Sequence, residues 1–211
     1  MSEGDEGTPG VGRVEAFSDG VIAIIITIMV LELHPPIAEE FGRLWTLWPI
    51  FLAYVLSYAY VAVYWVNHHR LFSHATRVTN GLVWSNMALL FTLSLVPFST
   101  SYLGEHQFTR EATWLYLVTM LLPAFAYVWL QSVVRRTGRQ SEDARAYHLQ
   151  MTRKGLFAVA VYLLGAGLTV VSPWFGVLAA AIVAILWFLP SSPLDRMFSR
   201  KALDKPGALR H

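Results

Sequence analysis

The feature that most limits what this chain can become is a series of about six apolar stretches, each close to the ~20 residues a helix needs to cross the hydrocarbon core of a bilayer. They fall at residues 14–34, 45–67, 81–103, 112–134, 155–171 and 174–189. None alternates in the manner of a lipid-facing strand, and only helices or closed barrels satisfy their own backbone groups in lipid. The expected fold is therefore an all-α membrane protein with six transmembrane helices. Pro35-Pro36 is expected to stop the first helix. Ser172-Pro173 is expected to make a tight turn, so that the last two spans form a helical hairpin. Pro97 and Pro123 fall inside the third and fourth spans. Each removes one backbone hydrogen bond, and both are read as packing features rather than gating hinges.

Composition narrows the function. Of the 211 residues, 55% are hydrophobic and 14% charged, against about 25% charged in an ordinary soluble domain. A net charge of +2 gives no dense basic face for a nucleic acid. The chain has no cysteine, which excludes disulfides, thiol catalysis and Cys-ligated zinc. Residues 1–12 are acidic and glycine-rich, without the apolar region of a secretory signal. The expected organisation is a flexible N-terminal segment (1–12), a helical membrane domain (13–190) and a short basic tail (191–211). Anionic headgroups are the expected neighbour of that tail.

Orientation follows from Lys and Arg, which accumulate in cytoplasmic loops. A cytoplasmic N-terminus puts 14 of the 16 basic residues on that side, leaving Arg43 and Arg110 opposite. Both termini are then cytoplasmic, the number of spans is even, and the expected location is the plasma membrane. Trp45, Trp48, Trp65, Trp114, Trp174 and Trp187 fall near span ends, as in an aromatic belt. Glu32, Glu39, Glu40, Glu105 and Glu111 gather on the outer side. They are either ordinary solvated charge or a ring that concentrates cations at a mouth. No internal repeat is visible, and no pair of broken helices marks an inverted-repeat transporter.

The first span is the most informative. Arg13, Glu15, Phe17, Ser18, Asp19 and Gly20 precede a run of β-branched apolar residues. Charge near or inside a membrane helix is costly and is usually paired. At the same depth the second span offers Trp65, Asn67, His68, His69 and Arg70, and the third offers Trp84 and Asn86. A knot of Arg13, Ser18, Asp19, a histidine and Asn86 would lock three helices together. The plainer alternative is that Ser18 or Asp19 caps a helix start and the histidines face headgroups. Adjacent histidines lie about 100° apart on a helix and do not form the i, i+4 pair of a zinc site, so no metal site is expected. No nucleophile–base pair or phosphate loop is present, and no enzyme is expected. Gly20, Ile24, Thr27, Ile28 and Leu31 share one stripe, and Ile24 lies about 140° around the helix from Asp19. That stripe faces either lipid or a symmetry axis.

The run Arg13-x-x-x-Phe17-Ser18-Asp19-Gly20, followed by a β-branched helix, resembles the opening signature of the transmembrane protein 175 family of potassium channels. Trp65-x-x-His68-His69-x-x-Phe72, Trp84-Ser85-Asn86, Leu95-x-Pro97-Phe98-x-Thr100 and Gly104-Glu105 are similar to that family's second and third spans. The motifs cover the first half of the chain, and hydropathy covers the rest. The resemblance implies six helices per repeat. Animal members carry two repeats and dimerise, whereas bacterial members carry one repeat and form tetramers, the type this chain resembles. It implies a pore lined by the first helix of four subunits at a four-fold axis, with no Thr-Val-Gly-Tyr-Gly filter. Ile24 is the implied constriction, followed by Thr27, Ile28 and Leu31. Arg13, Phe17, Ser18 and Asp19 are implied to be structural, with Trp65, His68, His69 and Asn86 as partners.

The expected activity is passive conduction of monovalent cations with a preference for potassium. Four isoleucines at an axis make an apolar collar that can dewet, and Thr27 hydroxyls beyond it can partly resolvate the ion. No span carries the arginine repeat of a voltage sensor. The expected partners are three further copies of the chain, the bilayer and the permeant potassium ion, with no cofactor and no nucleic acid. Three readings compete: an ion-coupled carrier, which needs a charge at mid-membrane; a non-conducting scaffold, whose isoleucine stripe faces lipid; and a membrane enzyme, which needs convergent polar groups in a cavity.

Overall fold

The structure, a computed structural model, describes residues 10–33, 45–138 and 142–188. Among these it contains helices α1 (Val11–Leu31), α2 (Trp48–Phe72), α3 (Asn80–Ser94), α4 (Val96–Glu105), α5 (Arg110–Thr137), α6 (Glu142–Leu168) and α7 (Pro173–Phe188), and no strand. Five stretches are long and apolar enough to cross a membrane: Val11–Leu31, Trp45–Phe72, Asn80–Glu105, Arg110–Thr137 and Leu149–Leu168. Helix α7 is equally apolar but has 16 residues, a rise of about 24 Å. Pro35-Pro36, Glu39, Glu40, Arg43 and the segments 1–9 and 189–211 lie outside the described residues.

Two elements differ from the sequence expectation. The third span is two helices rather than one. Leu95 is a turn residue between α3 and α4, and Pro97 occupies the first turn of α4. Proline has no N–H for the carbonyl four residues back, and its ring crowds that carbonyl, so the helix stops and restarts. Pro123, by contrast, sits inside an unbroken α5. The fifth expected span is α6, which starts at Glu142 rather than near residue 155, because its first turns are polar and hydropathy does not register them. It ends at Leu168, and residues 169–171 turn the chain into α7. The start of α3 has a clear cause: the Thr79 side chain accepts a 3.1 Å hydrogen bond from the Leu82 amide, a standard N-cap.

Helix α5 is the centre of the bundle and packs against α3, α4, α6 and α7, while α1 lies at the edge against α2, α3 and α4. Leu89, Leu93, Tyr116, Leu117, Met120 and Leu130 are fully buried in the core. In lipid, apolar burial gives little net attraction between helices, so close packing and interhelical hydrogen bonds hold them. Thr100 Oγ1 donates to Ser57 Oγ at 2.7 Å, and Ser57 Oγ lies 3.0 Å from the Tyr116 hydroxyl. This joins α2, α4 and α5 at one point. Close approach also requires Gly104, where an added Cβ would stand 2.8 Å from Ile50 Cα. Beyond α4 the chain reverses through Gln107 and Phe108, both at positive φ. That conformation is costly for residues with a Cβ. Burial of the Phe108 ring between Trp48 and Trp174, with centroids 5.9 and 5.4 Å away, offsets it.

The apolar window of α5 is 50% buried and that of α1 only 22%. Fewer residues of α1 than of α5 are therefore buried within one subunit. The same is true of the Leu149–Leu168 window of α6, also 22% buried, so exposure alone does not single α1 out. Its polar contacts do.

Candidate functional site

Helix α1 has two faces of opposite character. Ser18, Ile22, Ile25 and Met29 are buried, spaced at i, i+4, i+7 and i+11 on one stripe. Ser18 anchors that face. Its hydroxyl donates to the Val14 carbonyl at 2.8 Å and accepts from Asn86 Nδ2 on α3 at 2.8 Å. Asn86 Oδ1 lies 2.9 Å from His68 Nε2 on α2. A carbonyl oxygen only accepts, so His68 Nε2 carries the proton. The result is one directed chain, His68 to Asn86 to Ser18 to Val14, joining three helices through side chains that are all fully buried. His68 stacks on Phe72 with centroids 4.2 Å apart, and its Nδ1 has no partner among the described residues.

Beside this chain lie two rungs nearer the surface. Trp65 Nε1 donates to Asp19 Oδ1 at 2.9 Å, and His69 Nδ1 lies 2.8 Å from Glu15 Oε1. Glu15 and Asp19 are four residues apart on α1, as are Trp65 and His69 on α2, so each pair projects from one helix face. Trp65 stacks on His69, which ties the rungs together. Glu15 is not one of the residues that carry the family resemblance. Its spacing from Asp19, matched by that of His69 from Trp65, is the signal that finds it.

The structure does not bring all the motif residues together. Arg13 is exposed and pairs with no described residue, and Phe17 is 54% exposed. Both lie on the other face of α1 with Gly20, Ile24, Thr27, Ile28 and Leu31, all exposed in the single subunit. Five residues separate Arg13 from Ser18, a rotation of about 140°, which carries the guanidinium away from the buried chain. On this bare face Thr27 Oγ1 donates to the Ile24 carbonyl at 2.9 Å. Its one proton is spent there, leaving oxygen lone pairs for a cation or water. A cleft of about 470 Å³ adjoins the stripe, bounded by Ile24 and Ile28 on one side and Pro97 and Phe98 on the other, with Glu32 also in its wall. Ser101 Oγ lies 3.0 Å from Glu32 Oε2 and 3.3 Å from Glu105 Oε1, and its one proton goes to one of them at a time. Among the described residues no group of His, Asp or Glu is arranged to hold a metal ion.

An all-helical bundle with five stretches long and apolar enough to cross a membrane, its first helix fastened by buried polar bonds, makes an integral, multi-pass membrane protein. The model of the family described as endosomal/lysosomal potassium channel TMEM175 matches residues 13–97. A potassium channel of Chryseobacterium sp. (strain P1-3) is 38% identical over 186 residues, covering 88% of this chain and 96% of that one. The crystal structure of a lysosomal potassium-selective channel TMEM175 homolog from Chamaesiphon minutus superposes with a TM-score of 0.76 at 32% identity, covering 88% of this chain and 100% of that one. The endosomal/lysosomal proton channel TMEM175 of Homo sapiens is 40% identical over 95 residues, which is 39% of this chain and 18% of that one. The chain belongs to the TMEM175 family of potassium channels, and is a channel rather than an enzyme.

Proposed function

We propose that four copies of this chain surround a pore lined by α1, and that the pore passively conducts potassium in preference to sodium. In this reading each subunit crosses the membrane six times, with both ends in the cytoplasm of a plasma membrane. The observation that carries it is the two-faced first helix. One face is locked to α2 and α3 by Ser18, Asn86 and His68, and the other presents Gly20, Ile24, Thr27, Ile28 and Leu31, all exposed in the single subunit. A helix fixed that firmly on one side holds its other side in register, which a narrow collar of side chains requires.

At the collar, four Ile24 side chains force an ion to shed water without carbonyl replacements. Potassium gives up water more readily than sodium, so the collar favours it. The Thr27 oxygens, with lone pairs free of the Ile24 carbonyl bond, partly restore the shell. Hydrophobic constrictions of this kind also close by dewetting. Arg13 and Phe17, on the same bare stripe, would meet neighbouring subunits. The name of the human relative supplies a second reading, proton conduction, for which an unbroken file of water through the collar is required.

The test is flux through purified protein in liposomes under potassium, sodium and proton gradients in turn, beside Ile24→Asn. Potassium flux above sodium, with the preference lost in the variant, supports the collar. Equal potassium and sodium flux in the wild-type tetramer, unchanged by the variant, excludes it. Proton flux exceeding potassium flux favours the second reading.

A further inference from the structure

The bundle holds a second feature remote from the bare face of α1. A cavity of about 250 Å³ lies between α2, α5, α6 and α7. It exists because the helices meet closely on one side of it and not on the other. Toward the α6–α7 turn, an added Cβ on Gly165 would stand 2.4 Å from Ala179 Cβ, and one on Gly176 would stand 2.5 Å from Thr113 Cγ2. Toward the basic end, around Gly155, an added Cβ would meet nothing within 4 Å.

Tyr60, Tyr64, Tyr127 and Tyr162 line the space, yet it is not a polar site. The Tyr60 hydroxyl is spent on the Met120 carbonyl, and the Tyr127 hydroxyl donates to the Asn67 carbonyl at 3.2 Å. Asn67 Nδ2 donates to the Val63 carbonyl at 2.8 Å. The Tyr64 ring packs against both Tyr60 and Tyr127, with centroids 4.8 and 5.9 Å away. Tyr60 and Tyr127 therefore offer ring surface, in a lining that is mostly apolar. Water needs two or more polar partners to occupy such a space, whereas apolar cavities of about 150 Å³ stay dry and take up molecules the size of benzene.

The occupant is set by what surrounds the opening. Exposed Phe125 and Val128 of α5 and exposed Leu156 of α6 belong to the lining and mark where it meets the membrane. At the same end Lys154, next to Gly155, holds its ammonium 6.0 Å from the centroid of Trp187, another lining residue, and exposed Arg153 precedes it. Basic groups at a membrane surface attract anionic headgroups. We infer that this cavity binds one acyl chain of an anionic phospholipid, with the headgroup against Lys154.

Trp187 in the lining is the probe. Its emission is isolated as the difference between the wild-type protein and Trp187→Phe, in vesicles of phosphatidylglycerol or phosphatidylcholine with brominated acyl chains, which quench tryptophan on contact. The Trp187 signal is expected to lose most of its intensity in brominated phosphatidylglycerol and less in brominated phosphatidylcholine. Gly155→Leu, which fills the cavity, is expected to restore it, and Lys154→Gln to abolish the difference between the two lipids. Equal quenching in wild type and a Gly155→Leu protein of normal oligomeric size overturns the proposal, as does absence of quenching in either lipid. If Gly155→Leu does not fold, Lys154→Gln decides: an unchanged preference for phosphatidylglycerol overturns the assignment.

Discussion

The two faces of α1 follow opposite rules. The face bearing Ser18, Ile22, Ile25 and Met29 is buried and its polar atoms are matched across three helices. The face bearing Ile24, Ile28 and Leu31 is 57%, 41% and 73% exposed, and across the cleft beside it stand Pro97 and Phe98. In water such an uncovered apolar stripe would signal a partner, but in a bilayer lipid can cover it without penalty. The comparison therefore turns on rigidity. Side chains facing lipid need no fixed register, and the cost of burying a serine, an asparagine and a histidine in one bonded chain is hard to explain for a helix that only faces lipid. The buried face gives α1 a fixed position, which the proposed pore-lining role of the bare face requires.

The comparison breaks most visibly on the buried side. Asn86→Ala removes both bonds of the central link and leaves His68 Nε2–H without an acceptor inside the bundle, while Ser18 keeps its bond to the Val14 carbonyl. The expected loss is about 2–4 kcal/mol, read as a lower midpoint in detergent–SDS unfolding. A loss below ~0.5 kcal/mol would mean the chain does not hold α1 in place. Trp65→Phe takes away only the half-exposed rung to Asp19 and should cost about 1 kcal/mol. Glu15→Gln at the exposed His69 pair should shift the midpoint by less than ~0.5 kcal/mol, and less still at high salt. On the bare side Ile24→Asn should leave the unfolding midpoint of the subunit where it is and act on ion preference alone. A stability change as large as that of Asn86→Ala would erase the distinction between the faces.

Much of this arrangement is legible in the amino-acid sequence. The 100° step of a helix separates the Ile24 stripe from Asp19, and placing span ends at a common depth brings Ser18, His68 and Asn86 within reach. Arg13 is harder to place. Charge suggests membership of the polar knot, but the same helical step places Arg13 on the line through Phe17, Gly20 and Ile24, and geometry prevails over charge. The break at Leu95 is not legible in this way, since Pro97 ends a helix while Pro123 does not. Each proline removes one backbone hydrogen bond, so residue type alone does not separate the broken helix from the unbroken one. The early start of α6 is hidden because its first turns are polar and hydropathy sees only the part suited to lipid. The cavity behind Gly155 leaves no sequence signal, for it depends on how four helices splay.

The most direct test of the bare face uses the absence of cysteine from this chain. A single Ile24→Cys variant, with Leu164→Cys on the exposed face of α6 as control, is reconstituted in liposomes. Potassium flux is then measured before and after a water-soluble, positively charged thiol reagent. If α1 lines the pore, flux through Ile24→Cys falls sharply on treatment and flux through Leu164→Cys does not change. Unaltered flux through a modified Ile24→Cys protein would contradict the account and return the isoleucine stripe to lipid.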